Sequence, residues 1–160
     1  IELLLTSPIR DWEVVVGKWL GAYLFLLTII AITIIYPLML NNMVDPGIDQ
    51  GLVMSNYLAM GLASGALIAL GVMISSFFNN LVASFMMTMG SLVVLWFLMG
   101  IPIQFASGRM AKALRYIEFQ GHFNAMSAGV INLVDIVYFI SLVALFLMLG
   151  TVSLESRRWR

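Results

Sequence analysis

The chain has 160 residues, of which 62 % are hydrophobic and only 10 % are charged, and its mean hydropathy is +1.03. Soluble domains are about a quarter charged, so this composition is typical of an integral membrane protein. The zero net charge argues against a nucleic-acid partner. The lack of cysteine excludes disulfides and thiol catalysis, and the single histidine argues against a histidine-based metal site.

The chain opens with a charged stretch that precedes a long apolar run. Ser7 is a favourable helix N-cap, and Pro8 suits the first helical position because its missing N–H needs no partner there. Apolar residues at helical spacing then predict a short amphipathic helix over residues 7–18. The side chains that it offers to a partner are Ser7, Pro8, Arg10, Asp11, Trp12, Glu13 and Lys18.

Two interpretations of this helix remain open on its local chemistry. Amphipathic helices are common at membrane surfaces, so the helix could simply anchor the apolar run that follows. Alternatively, it is a docking helix for a soluble partner, since Arg10, Asp11 and Glu13 lie largely off its apolar face.

Four apolar runs are each about long enough to cross a hydrocarbon layer of about 30 Å. Trp19 and Tyr23 are expected as anchors at the membrane interface. Asn79-Asn80 makes a short polar break, which predicts a tight helical hairpin. The chain is therefore predicted to be an all-α, polytopic membrane protein, one domain over residues 1–160 with transmembrane spans at 19–40, 57–77, 81–101 and 133–154.

The second span carries small residues at every fourth position, namely Gly61, Gly65 and Ala69. This small-xxx-small pattern lets two helix backbones approach closely. It predicts either packing against a neighbouring helix of the same chain or a face for a dimer or channel.

Residues 104–132 form a second polar segment, predicted to be helical and extracytoplasmic. Within it an apolar stripe recurs at helical spacing, and Arg109, Lys112 and Arg115 lie off that stripe. Such a basic face can bind anionic headgroups or an acidic substrate, or it can be the solvated side of an amphipathic helix.

His122 and Asp135 are the other titratable residues of interest near this segment. His122 is expected at the surface, because no second histidine or defined nucleophile accompanies it. Asp135 is expected at the entrance of the last span, satisfied by water and by the helix dipole. A membrane-embedded enzyme that uses His122, Asp135 and Glu118 would require these three side chains to converge.

Motifs for independent chemistry are absent from the sequence. It has no phosphate-binding P-loop, no zinc-protease motif and no serine-hydrolase elbow, and no charged residue lies well inside a span. The chain is thus predicted not to be an enzyme and to bind no cofactor itself. Energy for any transport must come from another chain.

The basic residues predict the orientation of the spans. With four spans both ends lie on one side, which carries Arg10, Lys18, Arg157, Arg158 and Arg160, whereas the opposite side carries Arg109, Lys112 and Arg115. Lys and Arg accumulate on the cytoplasmic side of membrane proteins. Both ends are therefore predicted to be cytoplasmic.

Several stretches resemble the ABC-2 type permeases, the membrane subunits of ATP-binding-cassette transporters. The opening Glu2-Leu3-Leu4-Leu5-Thr6-Ser7-Pro8, with Gly17-Lys18, is similar to the family's cytoplasmic segment. The stretch from Gly71 to Asn80 is similar to its hairpin, although Phe78 stands at a usually polar position. The ending Leu154-Glu155-Ser156-Arg157-Arg158-Trp159 looks closest to the gliding-motility-type branch.

This resemblance implies a fold, partners and a location. The chain would be the C-terminal portion of a permease, without its first two spans, and residues 105–132 would form extracellular re-entrant helices. Residues 7–18 would be the coupling helix that docks into a cytoplasmic ATPase subunit, with ATP bound there. A second permease subunit would complete a transporter of the bacterial plasma membrane. The alternative is a non-transporting membrane scaffold that recruits a different cytoplasmic partner.

The spans hold few polar side chains. Such walls suit an apolar or amphipathic cargo, such as a lipid-linked molecule, although polymers can cross similar pores at dimer interfaces.

Overall fold

A computed structural model describes residues 10–96, 101, 105 and 107–158 of the chain. Helices connected by turns make up these residues, and no strand occurs among them. In chain order the helices are α1 (Asp11–Thr33), α2 (Ile35–Asn41), α3 (Gln50–Phe77), α4 (Leu81–Trp96), α5 (Arg109–Ile117), α6 (Phe119–Ser127) and α7 (Leu133–Arg158).

Helix α1 joins two elements that the sequence analysis separates. The predicted coupling helix ends at residue 18 and the predicted span begins at residue 19, but α1 continues unbroken through both residues. The two predicted elements are therefore parts of one helix. No proline interrupts this stretch, and its Gly17 costs only about 1 kcal/mol relative to alanine in a helix interior. The predicted N-cap Ser7 and the following Pro8 lie outside the described residues.

Three stretches are long and apolar enough to cross a membrane: Asp11–Asn41, Gln50–Phe77 and Leu133–Ser156. The prediction of a polytopic helical membrane protein is thereby confirmed. The predicted span 81–101 corresponds to the shorter apolar helix α4, whose described part ends at Trp96. Helix α3 begins seven residues before the predicted start at residue 57, because Asp49 caps it by accepting hydrogen bonds from the N–H groups of Gly51 and Leu52.

Helix α3 is the centre of the bundle and contacts α1, α4, α6 and α7. Its buried Ala59, Ala63 and Ala66 present little side chain, which allows the neighbouring helices to come close. Phe119 of α6 and Phe139 of α7 fill the space beside them. Close packing of this kind is what holds helices together in a bilayer, where lipid tails are as apolar as leucine.

Helices α5 and α6 lie at the end of the bundle where α3 and α7 begin. Helix α6 buries Phe119, His122 and Met126, which share one face at helical spacing. The rings of Phe119 and Phe139 meet edge to face, with centroids 5.2 Å apart. Phe139 follows the first residue of α7 by six positions, which is about 9 Å along the helix axis. The start of α6 therefore contacts α7 about 9 Å from the N-terminus of α7. Helix α6 therefore inserts into the bundle.

Candidate functional site

The first turn of α1 projects from the bundle. Its N-terminus is capped within the turn, because Arg10 N donates to Glu13 Oε2 at 3.0 Å. Arg10, Trp12 and Glu13 are exposed, and Asp11 is half-buried. Val15 is the one residue of α1 that is fully buried, and it packs beside Gly150 of α7. The predicted docking residues from 10 to 13 thus share one accessible turn.

An aromatic pair further along α1 fixes this helix to α3. Trp19 Nε1 donates to the backbone carbonyl of Gly65 at 2.9 Å, and Tyr23 Oη donates to that of Gly61 at 3.2 Å. The two rings stack with centroids 5.0 Å apart. We call these four residues the α1–α3 clamp. That Trp19 and Tyr23 lie at the membrane interface stays a prediction, and the polar groups of both side chains bond to α3.

The glycines of the clamp explain the small-xxx-small pattern. A Cβ on Gly65 would lie 3.1 Å from Tyr23 Cε2, which is too close without a shift of the ring. Gly61 likewise faces α1 at Leu27, and Ala69 is fully buried. In this chain the two glycines therefore serve packing between α1 and α3, which is the first of the two interpretations above.

Lys18 makes a further contact between the same two helices. Its Nζ donates to Ser75 Oγ at 3.3 Å, and Lys18 directly precedes Trp19 of the clamp. Lys18 remains exposed, so this hydrogen bond is a weak tie in comparison with the buried part of the interface. Lys18 therefore lies against α3, apart from the accessible first turn.

The opposite end of the bundle contains a buried ion pair. His122 Nδ1 lies 2.5 Å from Asp135 Oδ1, and the side chains are only 10 % and 7 % exposed. The expectation that His122 lies at the surface is wrong. Asp135 lies in the first turn of α7, as expected, and its carboxylate bonds to the side chains of His122 and Asn132. The reason is the insertion of α6, which carries His122 against the first turn of α7.

Hydrogen bonds engage both ring nitrogens of His122. Nε2 is 3.2 Å from the backbone carbonyl of Tyr116, which only accepts, so Nε2 carries a hydrogen. Nδ1 faces Asp135 Oδ1, and Asn132 Nδ2 donates to the other carboxylate oxygen at 3.3 Å. Each nitrogen of the imidazole thus has a partner.

Further contacts extend this network across the bundle. The imidazole stacks on Tyr138 with ring centroids 4.1 Å apart, and Tyr138 Oη donates to the carbonyl of Ile117 at 2.8 Å. At the far end of α6, Ser55 Oγ donates to the carbonyl of Met126, and Asn56 Nδ2 donates to that of Ser127 at 3.1 Å. Helix α6 is consequently bonded to both α3 and α7. We call this set of contacts the α6 lock.

The geometry does not support catalysis by His122, Asp135 and Glu118. The first two converge, but the Glu118 side chain forms no hydrogen bond to either of them in the described structure: its backbone carbonyl accepts from His122 N within the helix, and its carboxylate lies beside Gly121. With both nitrogens bonded, His122 has no free position from which to take a proton. In the described part of the chain, no group of three or more His, Asp or Glu residues could hold a metal ion.

The predicted basic face lies on α5. Arg109, Lys112 and Arg115 are all exposed and are spaced by three residues, so they share one side of the helix. Among the side chains that the structure describes, none of the three forms an ion pair with an acidic residue. The helix ends at Ile117, whose carbonyl belongs to the α6 lock.

The described residues form a bundle of helices, three of which are long and apolar enough to cross a membrane. This architecture is typical of a membrane-embedded protein. The family model for ABC-2 family transporter proteins matches residues 1–159, and the chain therefore belongs to this family. It is a permease subunit of an ABC-2 transporter, which works with a cytoplasmic ATPase. No curated protein matches the chain, and no solved structure does. The scaffold alternative is not favoured.

Sequence reasoning missed the α1–α3 clamp and the α6 lock. A signal for the clamp was present, since Trp19 and Tyr23 have the same four-residue spacing as Gly61 and Gly65. The lock had a weaker signal: His122 is the single histidine, and Asp135 is an acidic residue at the start of an apolar helix.

Proposed function

We propose that this permease subunit moves its substrate by using α1 as a rigid lever that an ATPase subunit drives. ATP is bound and hydrolysed on that separate subunit, which docks on residues 7–18. The observation that carries this proposal is the continuity of α1 from its exposed first turn to the α1–α3 clamp.

The dimensions of α1 suit such a lever. Trp19 follows Asp11 by eight residues, so the clamp begins about 12 Å from the docking turn along a helix with a rise of about 1.5 Å per residue. Between these points Val15 is fully buried and the other side chains are at least partly exposed. A displacement of the first turn is therefore carried to the backbone of α3, the centre of the bundle.

The charged docking turn also offers directional contacts. Arg10 and Glu13 are exposed and present opposite charges, which allows complementary pairing with a groove of mixed charge. Trp12 is 48 % exposed and adds an apolar surface of the kind that often dominates protein–protein contacts. Both features favour a protein partner over a simple anchor in lipid.

Charge reversal tests the docking proposal. The full gene product with Asp11→Lys and Glu13→Lys is purified from detergent-solubilised membranes, and the co-purifying ATPase subunit is quantified. The matched control reverses Asp45 and Glu155, which are also exposed acidic residues, so that the change in net charge is the same. We expect at least about tenfold less ATPase with the first variant, since several like-charge contacts each cost kcal/mol amounts. Equal recovery of the ATPase with both variants would overturn the docking site.

A measurement of coupling tests the lever itself. In proteoliposomes the reversed variant is expected to lose the permease-dependent stimulation of ATP hydrolysis while its elution volume stays unchanged. ATP hydrolysis that responds to the permease as in the wild type would contradict the proposal.

The assembly that we propose contains two permease subunits and two ATPases in a bacterial plasma membrane. Both ends of this chain then lie in the cytoplasm, with α5 and α6 at the extracytoplasmic side; the distribution of basic residues supports this orientation. Assignment to the gliding-motility-type branch rests on the resemblance of the C-terminal residues. Single cysteines at residues 45 and 155, labelled with an impermeant maleimide in intact cells, test the orientation, because the chain has no native cysteine.

A further inference from the structure

An apolar cavity of about 540 Å³ lies between α3, α4 and α7. Its walls include Met87, Gly90 and Val94 of α4, Leu142 and Phe146 of α7, and Ile117 at the end of α5. Met87 and Val94 are about half exposed, so the cavity is open to the outside of the bundle. For a membrane-spanning bundle, the outside is lipid.

The polar groups in the cavity wall are already satisfied. Ser91 Oγ donates to the carbonyl of Met87 at 2.7 Å, and Tyr138 Oη donates to that of Ile117. Neither hydroxyl has a hydrogen left to offer a ligand. The walls therefore suit a hydrocarbon chain, and the flexible methionines can adapt to its shape.

Helix α5, which is basic, ends at this cavity, and we call this helix the rim. Ile117 lines the cavity and ends the helix that carries Arg109, Lys112 and Arg115. These three cations share one side of α5 and have no acidic partner among the described side chains. Met110 of the same helix is 71 % exposed, as expected for a helix that rests on a membrane surface.

From this juxtaposition we infer a binding site for an anionic phospholipid. One acyl chain occupies the cavity between α4 and α7, and the phosphate lies on the basic side of α5. Clusters of Lys and Arg at a membrane surface bind anionic headgroups through electrostatic attraction. The site is independent of the proposed docking turn, which is at the other end of the bundle.

A second copy of this chain fits the rim less well than a lipid. Symmetric dimers place the same patch of both subunits at one interface. Such a contact over this cavity would bring two copies of the basic helix together, and like charges in an interface are costly. An anionic headgroup removes that cost.

Gly90 provides a sharp test, because it lines the cavity and a Cβ there would meet no heavy atom within 4 Å. Gly90→Leu is therefore expected to place its side chain in the cavity, starting from a Cβ that meets no neighbour. The matched control is Gly21→Leu on α1, which likewise has open space around it and is remote from the cavity lining. A third variant, Arg109→Gln with Lys112→Gln and Arg115→Gln, removes the charge of the rim.

The experiment is a titration of the delipidated full gene product in detergent, followed by native mass spectrometry. The probes are phosphatidylglycerol and, as a zwitterionic reference, phosphatidylcholine with the same acyl chains. We expect wild type and Gly21→Leu to bind phosphatidylglycerol about tenfold more tightly than phosphatidylcholine. Gly90→Leu should weaken the binding of both lipids, whereas the triple glutamine variant should lose only the preference for phosphatidylglycerol.

Two results would overturn the lipid site. One is unchanged affinity for phosphatidylglycerol in both Gly90→Leu and the triple variant. The other is conversion of dimers to monomers by Gly90→Leu, seen in the same spectra, which would assign the cavity to a contact between permease subunits. Neither result bears on the docking of the ATPase.

Discussion

The two ends of the bundle differ in how firmly they are held by buried contacts. At one end the first turn of α1 is exposed and Val15 is the one fully buried residue of its helix. At the other end α6 is bonded to α3 and α7 through a buried ion pair, a ring stack and side-chain to backbone hydrogen bonds. Segments with few buried contacts open and move at little cost in free energy, and fully bonded segments do not. The contrast indicates a moving end and a fixed end.

The largest expected effect is on the fixed end. Asp135→Ala leaves His122 buried without its partner, and such a loss costs about 3–5 kcal/mol of stability. The midpoint of thermal unfolding of the purified protein measures it. The double variant His122→Ala with Asp135→Ala should cost less than the sum of the single variants, because no unpaired charge remains. Additive effects would contradict the bonded pair described here.

The next effect concerns the α1–α3 clamp. Gly65→Val adds bulk where a single Cβ is already 3.1 Å from the ring of Tyr23, so the ring must leave its place. Overpacking of this kind costs about 1–3 kcal/mol. The thermal midpoint should fall, and stimulation of the ATPase should fall with it. Gly21→Val is the control, since that position has open space and does not line the lipid cavity. Equal loss of stability in both would show that the bulk at Gly65 is not specifically harmful.

A subtler change removes one hydrogen bond of the clamp. Trp19→Phe keeps an aromatic ring but loses the Nε1–H that donates to Gly65, which should cost about 1 kcal/mol. Tyr23→Phe removes the longer bond to Gly61 and should cost less. Chemical denaturation in mixed micelles can rank the two variants. A larger loss for Tyr23→Phe would reverse the order that the geometry predicts.

The smallest effect is expected in the lever between the docking turn and the clamp. Gly17 has open space around it, so Gly17→Ala should stabilise α1 by up to about 1 kcal/mol through helix propensity. Slower amide hydrogen exchange in residues 11–18, with no change in α6, would confirm that the two ends respond independently. Slower exchange in α6 as well would show that they are coupled.

Local patterns were sufficient to predict the helices, and distant contacts were not predictable in the same way. Hydropathy located the spans that correspond to α1, α3 and α7, because the length and polarity of a run are properties of adjacent residues. The first turn of α1 and the basic side of α5 also follow from local spacing. The pairing of His122 with Asp135 depends on the insertion of α6 into the bundle. The local sequence around either residue does not predict that insertion.

The aromatic residues of α1 show the same limit. Trp and Tyr near the end of a span are usually interface anchors, and that general tendency predicts no partner within the protein. The hydrogen-bond partners of Trp19 and Tyr23 are backbone carbonyls 46 and 38 residues further along the chain. Only a comparison of spacings on the two helices could have joined them.

The spacing in the clamp has a mechanical consequence. Two aromatic residues, four apart on α1, bond to two glycines, four apart on α3. A slide of α1 by one helical turn, about 5.4 Å, would bring Trp19 to Ala69, whose methyl group occupies the kind of space that Gly65 leaves open. The clamp therefore fixes the register of α1 on α3, and a push along α1 is passed to α3 without slippage.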